Sequence, residues 1–395
     1  MERPKLRKVE RHALEREHER LLVLRDPFGL VEPVALAAEL APVLDLMDGK
    51  HSLAQIRQSL LLKGVLDVPL DALGQLSDDF AERGLLDDDH FRTMWVERHE
   101  RFRSEPMRRP AFAGVLYPSE PTQLRAMLER AAPEPRRRID ADTCLLAAVC
   151  PHQPFDIAGS VLDPTLRGLP HPESLDVIVV LATDHQAGLT PFVVTDKVFA
   201  TPIGTCESDS AFIAALERRV SWVRREEIRH ANAHSVELAV VVLQHVFGAS
   251  CPPIIPVLCG QTALSAGESN AGDEFVAALE SLLEDRSVLW LVMAELSHTG
   301  PAYGHPSQSR AAIRKTRERD RELVDAILQG GSERFLRTAL ASQGQSLASG
   351  TATIHALLRC LPVDARAHLA AYQHAPVPGH VPGWVGMLGL HFFAP

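Results

Sequence analysis

The sequence predicts an α/β protein in which a mixed or parallel sheet is sandwiched by helices and is preceded by a small helical domain. Two observations predict this architecture. The chain has 395 residues, more than one ordinary domain accommodates. From about residue 111 onward, short apolar runs alternate with segments of helical periodicity, which is typical of strands buried on both faces of a sheet.

The composition is that of a globular protein and excludes several classes of function. Hydrophobic residues make up 46% of the chain and charged residues 23%, which argues against a disordered or fibrous protein. The formal net charge of −10 argues against nucleic-acid binding through overall charge. No apolar run reaches the roughly 20 residues that cross a bilayer, and the N-terminus lacks a signal-peptide pattern. We therefore expect a soluble, cytoplasmic protein with neither nucleic-acid nor membrane partners.

The first 95 residues are predicted to be helical. A charged helix is expected over Lys8–Leu22, followed by an apolar segment over Val34–Met47. The segment Ser52–Gln55 has the spacing of a capping box at the start of the next helix. A third helix is expected over Pro69–Gly84, where the glycine ends it. Three short helices with an extended tail indicate a small winged-helix module.

Two strings in this module carry a first resemblance. Leu46–Ile56 and Phe80–Leu86 resemble the PqqD-type peptide-recognition fold, whose members hold a precursor peptide for a modifying enzyme. The resemblance implies a peptide or protein partner for residues 1–95, with a radical enzyme as a further partner. The alternative is a plain docking or dimerisation module, because a fold does not fix a function. The charged segment 96–110 is predicted to be a linker.

Residues 111–395 are predicted to form the α/β domain. Continuous apolar runs predict its strands, at Cys144–Cys150, Leu175–Leu181, Phe192–Thr195, Ile254–Cys259, Val288–Met293 and Trp384–Phe393. Amphipathic or apolar segments between them predict its helices, at Gln123–Ala131, Ser208–Arg218, His234–Phe247, Ala271–Leu283 and Ala311–Leu328. This alternation is typical of a sheet covered by helices on both sides.

Three of the predicted strands run directly into a segment that contains histidine. These residues are His152, His185 and His298, the last preceded by Glu295. Open α/β sheets bind ligands at the carboxyl ends of their strands, and imidazole is the commonest metal ligand and the usual base near neutral pH. The six cysteines show no CxxC spacing, so no zinc ribbon or thioredoxin-type motif competes with this interpretation. We therefore expect the histidines to converge, although sequence does not give the strand order.

These residues also carry a second resemblance, which spans residues 111–395. The chain resembles the Memo family through motifs that follow one another in order, at Phe112–Pro118, Pro151–Gly159, Thr183–His185, Thr201–Gly204, His234–Glu237, Ile255–Leu258, Glu295–His298 and Gly386–Gly389. The family fold is similar to the class III extradiol dioxygenases, which are non-haem iron enzymes. The resemblance implies a metal pocket in which His152 and His185 are ligands, with Glu295 and His298 beside them.

The sequence departs from the family pattern at several of these positions. Ser349 stands where the family has a metal-binding cysteine, and a neutral hydroxyl is a much poorer ligand than a thiolate. Gln153 follows His152 where the family has alanine, and Ala233 precedes His234 where the family has an acid. The family aspartate is replaced by Glu295, which is one methylene longer.

Two functional hypotheses follow. In the first, His152, His185 and Glu295 bind Fe(II), or else Cu or Zn, as a 2-His-1-carboxylate set. His298 is then the general base, and His234 and Ser349 complete the catalytic site. In the second hypothesis the metal site has degenerated, and the domain is a non-catalytic binding or scaffold protein. A serine hydrolase has less support, because the Gly-x-Ser-x-Gly elbow is absent from the sequence.

Each candidate residue also has a structural interpretation. His152 follows Pro151 and could simply turn the chain, while Asp184 could be a turn acid rather than a partner of His185. The segment Ser297–Gly300 could be a capped turn. The pair His234 and Glu237 could lie on the surface of a helix.

Overall fold

The computed structural model describes residues 3–16, 19–26, 28–133, 144–186, 188–264, 271–303, 305, 309–341, 348–377 and 381–395. Contacts within the chain divide it into two compact units, Met1–Ser104 and Glu105–Pro395. None of the helices in the described ranges is both long and apolar enough to cross a lipid bilayer.

The first unit contains a sheet followed by helices. Its three antiparallel strands are β1 (Glu10–Arg16), β2 (Glu19–Arg25) and β3 (Val34–Ala37). Its helices are α1 (Ala41–Leu46), α2 (Leu53–Leu62), α3 (Leu70–Glu82) and α4 (Asp89–Ser104). The helix predicted over Lys8–Leu22 is therefore wrong, because this segment lies in β1 and β2. Leu22 and Leu24 are both buried, which is the two-residue period of a strand with one apolar face.

The helical part of the first unit agrees with the sequence. Ser52 caps α2, since its hydroxyl accepts from the Gln55 N–H at 3.3 Å and its own N–H donates to Gln55 Oε1 at 2.9 Å. Gly84 follows α3 with a positive φ of 70°, a conformation that favours glycine. The segment 96–110, predicted to be a linker, is helical as far as Ser104, where α4 ends.

The second unit is built on an eight-stranded mixed sheet. The unit's strands are β4 (Met107–Arg108), β5 (Leu145–Cys150), β6 (Val177–Thr183), β7 (Phe192–Val194), β8 (Val198–Thr201), β9 (Gly204–Cys206), β10 (Ile254–Cys259), β11 (Val288–Met293), β12 (Glu295–Thr299), β13 (Arg366–Val377) and β14 (Gly383–Phe393). The order in the large sheet is β12-β14-β5-β11-β6-β10-β7, and β13 pairs with the other edge of β14. Strands β5, β11, β6 and β10 are mutually parallel, and the outer pairings are antiparallel.

Helices cover both faces of this sheet. They are α5 (Pro121–Ala131), α6 (Phe155–Leu166), α7 (Ser210–Arg219), α8 (His234–Phe247), α9 (Ala271–Leu283), α10 (Arg310–Leu328), α11 (Ser332–Ala341) and α12 (Thr351–Cys360). Alternate residues of β6 face opposite sides, with Val180 in the core beneath α6 and α8 and Leu181 in the core beneath α9 and α12. Each fully buried aliphatic side chain contributes about 1.5–3 kcal/mol. The predicted α/β class with a sheet sandwiched by helices is confirmed.

The fold depends on close backbone approach at Gly350, which precedes α12. Its N–H donates to the Glu295 carbonyl at 2.9 Å, and a Cβ at this position would lie 2.6 Å from that carbonyl oxygen and 2.7 Å from Ala294 Cβ. Glu295 begins β12 and Ala294 joins β11 to β12, so neither neighbour can move away without a shift of the packed sheet.

We therefore expect Gly350→Ala to lower the free energy of unfolding by about 1–3 kcal/mol, as overpacking does in a tight core. Denaturant unfolding of the purified protein measures the change. Gly272→Ala is the matched control, because a Cβ there meets only the flexible end of Arg359 at 3.5 Å. Equal stability of the two variants would contradict the prediction.

Candidate metal centre

The strand order brings two of the predicted histidines to one edge of the sheet. β11 lies between β5 and β6, and all three strands are parallel. His152 lies two residues beyond the end of β5, and His185 lies two residues beyond the end of β6. Glu295 lies two residues beyond the end of β11, at the start of β12. The three side chains therefore start from neighbouring strand ends; the sequence placed them at strand ends but did not predict that these strands are neighbours.

A third histidine comes from α8. This helix precedes β10 and so runs against the parallel strands, which puts its first residue, His234, at the same edge of the sheet. The hydroxyl of Ser235 donates to the Thr183 carbonyl at 2.7 Å, which ties the first turn of α8 to the end of β6. His234 is thereby held next to His185.

The buried carboxylate of Glu237 anchors the same first turn of α8. It accepts from the backbone N–H groups of Ala111 and Phe112, both at 2.9 Å, and from the side chains of Arg108 and Tyr117. Both members of the Arg108–Glu237 ion pair are almost completely buried. Glu237 is therefore a structural anchor of α8 and not part of a surface pair with His234.

The three histidines form one compact group. One potential ligand atom from each of His152, His185 and His234 lies within 4.8 Å of the others. The Nε2 atoms of His152 and His185 are 2.9 Å apart, and the rings of His185 and His234 are stacked with centroids 4.8 Å apart. Among the described residues, these three form the group of histidine, cysteine or carboxylate side chains that could hold a metal ion.

The charge state of the group suits metal binding. Burial lowers the pKa of His152. Desolvation of the ring nitrogens, together with the neighbouring His234 and His152, lowers the pKa of His185 well below its ordinary value, although part of its side chain is exposed to solvent. Both rings are therefore neutral at physiological pH and keep a nitrogen lone pair available, which a metal ligand requires. The residues present fit a transition-metal ion with imidazole ligands.

Glu295 lies beside the histidine group and is held by hydrogen bonds. The backbone N–H of His152 donates to Oε1 at 2.9 Å, and the Gln153 amide donates to Oε2 at 2.9 Å. His298 Nε2 lies 3.2 Å from Oε2, and His152 Nε2 lies 3.7 Å from it. Burial opposes ionisation of Glu295, but His152, His298 and Gln153 outweigh it and lower its pKa well below the usual range. The centre thus contains a buried, ionised carboxylate.

His298 extends from β12, and its ring is fixed on two sides. Nδ1 lies 3.1 Å from the Leu296 carbonyl, and Nε2 faces Glu295. Both partners are acceptors, so the arrangement is satisfied when both ring nitrogens carry a proton. The Tyr303 ring packs edge-on against His298, with centroids 4.9 Å apart, and burial next to Glu295 raises the pKa of Tyr303 to about 12. Ser297–Thr299 is part of a strand and not the capped turn that the sequence also allowed.

Ser349 is brought to the same region by the backbone. Its N–H donates to the Leu296 carbonyl at 3.3 Å. Its hydroxyl oxygen is buried and has no hydrogen-bond partner within the part of the chain that the structure describes. A polar oxygen left in this state is costly unless it meets a ligand or water.

Two pairings that the sequence allowed, of Ser297 with His298 and of Asp184 with His185, are not formed. The Ser297 hydroxyl donates to Asp320 and not to His298, so the serine–histidine pair of a hydrolase is absent here. Asp184 forms a buried ion pair with Arg229 and accepts from the Gln186 N–H at 2.8 Å. Asp184 therefore fixes the loop after β6 and is not a hydrogen-bond partner of the His185 ring.

The sequence predicts His234 as a catalytic residue but not as a member of the histidine group. The sequence pattern could have placed His234 with the other histidines. His234 begins a helix that leads into a strand, and the start of such a helix lies at the carboxyl edge of the sheet. Gln153 was noted only as a departure from the family pattern. Its contact with Glu295 depends on the pairing of β5 with β11, which no sequence pattern gave.

Comparison with known proteins identifies the family. The profile of the Memo-like proteins matches residues 108–389. A MEMO1 family protein of Aquifex aeolicus is 24% identical over 341 residues, covering 86% of this chain and 87% of the relative. That match is longer than the second unit, so it reaches into the first unit.

Further relatives support the same assignment. A MEMO1 family protein of Methanopyrus kandleri is 30% identical over 235 residues, covering 58% of this chain and 80% of the relative. One from Archaeoglobus fulgidus is 25% identical over 286 residues, covering 72% and 99%. A solved structure of an uncharacterised Escherichia coli K12 protein matches with a TM-score of 0.34 and 12% identity, covering 56% of this chain and 87% of that one, which is too distant to carry an argument. With the family profile spanning the greater part of its length, the chain belongs to the Memo-like proteins.

Proposed function

We propose that the second unit is a transition-metal enzyme that carries out redox chemistry on a bound substrate. The observation that carries the proposal is the meeting of three histidines, two of which have lowered pKa values, at the carboxyl edge of a parallel sheet. Imidazole ligands suit iron, copper and zinc alike. The resemblance of the family fold to extradiol dioxygenases favours Fe(II), whose bound form would supply the redox step.

In this proposal the ligands are His152, His185 and His234. His234 replaces Glu295 in the ligand set, because both carboxylate oxygens of Glu295 are already engaged by N–H donors. The carboxylate of Glu295 instead lies 3.2 Å from His298 Nε2 and orients that ring. His298 Nε2 would exchange a proton with a bound substrate that takes the place of Glu295 as its partner, which makes His298 the acid–base residue of the site.

The hydroxyl of Ser349 supports a substrate-binding role. Its buried oxygen lacks a partner among the described residues, so a polar substrate atom would satisfy it. We infer that Ser349 orients the substrate, and that it does so at the position where the family cysteine would bind metal.

We further propose that the first unit binds a peptide or protein partner, in keeping with the PqqD-type strings at Leu46–Ile56 and Phe80–Leu86. The capped helix α2, which begins inside the first string, supports this assignment. The relative from Aquifex aeolicus has sequence that matches part of this unit. A peptide substrate presented by the first unit, modified together with a radical enzyme partner, is the most specific form of the proposal.

A second candidate function is a non-catalytic binding protein. The observation that favours it is the exchange of the family thiolate for Ser349, combined with the engagement of Glu295 in hydrogen bonds. Both changes remove a negatively charged ligand from the site. This candidate predicts that removing His185 leaves partner binding unchanged.

The first test is metal content. We expect anaerobically prepared protein, loaded with Fe(II) and passed through a desalting column, to retain about one ion, because three imidazoles converge. His185→Ala should reduce retention at least about tenfold, and elemental analysis measures it. His368→Ala is the control, since His368 lies exposed on β13. Full retention by the His185 variant would contradict the ligand set.

The second test uses the exchanged residue. We expect Ser349→Cys to add a thiolate ligand and therefore to tighten binding of Co(II) or Zn(II). A thiolate-to-Co(II) charge-transfer band should appear in the absorption spectrum of the variant and be absent from the wild type. A variant that folds and binds Co(II) with an unchanged spectrum would show that position 349 does not reach the metal.

The third test is the pH dependence of stability in the presence of a chelator. His185 has a lowered pKa in the folded state, so below pH about 6.5 the unfolded chain binds a proton at this residue that the folded chain does not bind. Stability should fall with decreasing pH from that point, with a slope smaller than the roughly 1.4 kcal/mol per pH unit of a fully buried histidine, because the His185 side chain is exposed and solvent screens its charge. His185→Gln should have a shallower slope between pH 7 and 5. An identical slope in urea unfolding would contradict a lowered pKa for His185 in the folded state.

A further inference from the structure

A groove lies on the second unit between α10 and β13. It has a volume of about 460 Å³ and is lined from the helix by Arg317, Arg321, Val324 and Leu328 and from the strand by Leu369 and Tyr372. Ligand sites for small molecules usually enclose about 300–1,000 Å³. None of the three histidines of the metal centre lines this groove, so it is a separate site.

The charge of the groove differs from that of the whole protein. The chain carries a formal net charge of −10, yet Arg314, Arg317 and Arg321 follow one another on the same face of α10. Arg314 is paired with Glu318 at 3.7 Å. Arg317 and Arg321 have neither an ion pair nor a side-chain hydrogen bond to any described residue. Two unpaired guanidinium groups, one helical turn apart, thus face the same cavity.

β13 contributes the polar side chains of Tyr372 and His374 to this region, and neither is an acid that would pair with the arginines. The Tyr372 hydroxyl donates to the buried Asp320 at 2.7 Å, which fixes the Tyr372 ring in the wall of the groove. Two residues further along β13, His374 has both ring nitrogens buried, with no hydrogen-bond partner among the described residues. Burial and the nearby charge of Arg317 lower the pKa of His374 to about 4, so its ring is neutral. Arg317 therefore projects positive charge into a region where no described carboxylate pairs with it.

The other end of the groove is apolar. Val324 is buried, Leu328 is a large hydrophobic residue with 36% of its surface exposed, and Leu369 is half-buried. Apolar surface beside unpaired guanidinium groups complements a ligand that has both a negative and an apolar part. The acidic residues Glu318 and Asp325 also line the groove, and their negative charges disfavour a highly charged polyanion.

We propose that this groove binds an amphipathic organic anion, in which a carboxylate or a phosphate is attached to an apolar body. Arg317 and Arg321 bind the anionic group, because a guanidinium offers a planar fork of N–H donors that matches either oxyanion. The apolar body lies against Leu328 and Leu369. Carboxylate and phosphate share this chemistry, and the test separates them.

The test is displacement of the fluorescent aromatic sulfonate 8-anilinonaphthalene-1-sulfonate from the full-length protein. Decanoate and decyl phosphate should each be tried as competitors, and the stronger of the two identifies the headgroup. We expect saturable displacement by at least one of them and at least about tenfold weaker displacement by decanol, which lacks the charge. Displacement by decanol that equals that of the anions would overturn the proposal.

Variants locate the site. Combining Arg317→Gln with Arg321→Gln should weaken anion binding about tenfold or more. Arg319→Gln, which removes one charge from the same helix outside the groove, should leave it unchanged. Leu328→Asp, at an exposed position that tolerates substitution, should weaken binding without touching an arginine. Circular dichroism confirms that each variant is folded. Equal loss in the Arg319 variant, or no loss in the double variant, would overturn the assignment.

Discussion

The ionised carboxylate of Glu295 is the interaction around which the centre is organised. A buried charge costs several kcal/mol unless it is compensated by hydrogen bonds or an opposite charge. Here the compensation comes from the backbone of His152, the amide of Gln153 and the ring of His298. These donors lie on the loop after β5 and on β12, so satisfying one carboxylate fixes two segments of the site at once. The position of His152 follows from that requirement.

Two further buried ion pairs fix the segments that carry His185 and His234. Arg229 pairs with Asp184 in the loop that carries His185, and Arg108 pairs with Glu237 in the first turn of α8. Breaking such a pair by removing one partner leaves an uncompensated charge in the core, which typically costs about 3–5 kcal/mol. The three imidazoles are therefore carried by segments that cannot shift independently, and a preorganised ligand group is what metal binding without a large ordering cost requires.

The sequence predicted the parts of the fold that depend on local pattern. The central strands are continuous apolar runs, and each run ends close to where the structure ends the strand, so His152 and His185 could be placed at strand ends. Strand order depends on pairing between distant segments, so neither the position of β11 between β5 and β6 nor the contact of Gln153 with Glu295 could be foreseen. The hairpin of β1 and β2 was mistaken for a helix because its charged residues have good helical propensity, which cross-strand pairing overrode. β13 was missed because this half-exposed edge strand lacks a continuous apolar run.

The pairing of β14 with several earlier strands affects when the sheet can form during biosynthesis. One of its edges pairs with β13, while the other pairs first with β12 and then with β5. It follows all of these strands in the chain and so leaves the ribosome after every one of them. Domains form as their chain emerges, but β12, which carries Glu295 and His298, has no lateral partner in the sheet until β14 arrives. The centre is therefore assembled late in biosynthesis, and a nascent chain halted before β14 would have its ligand-bearing loops without the strand that closes them.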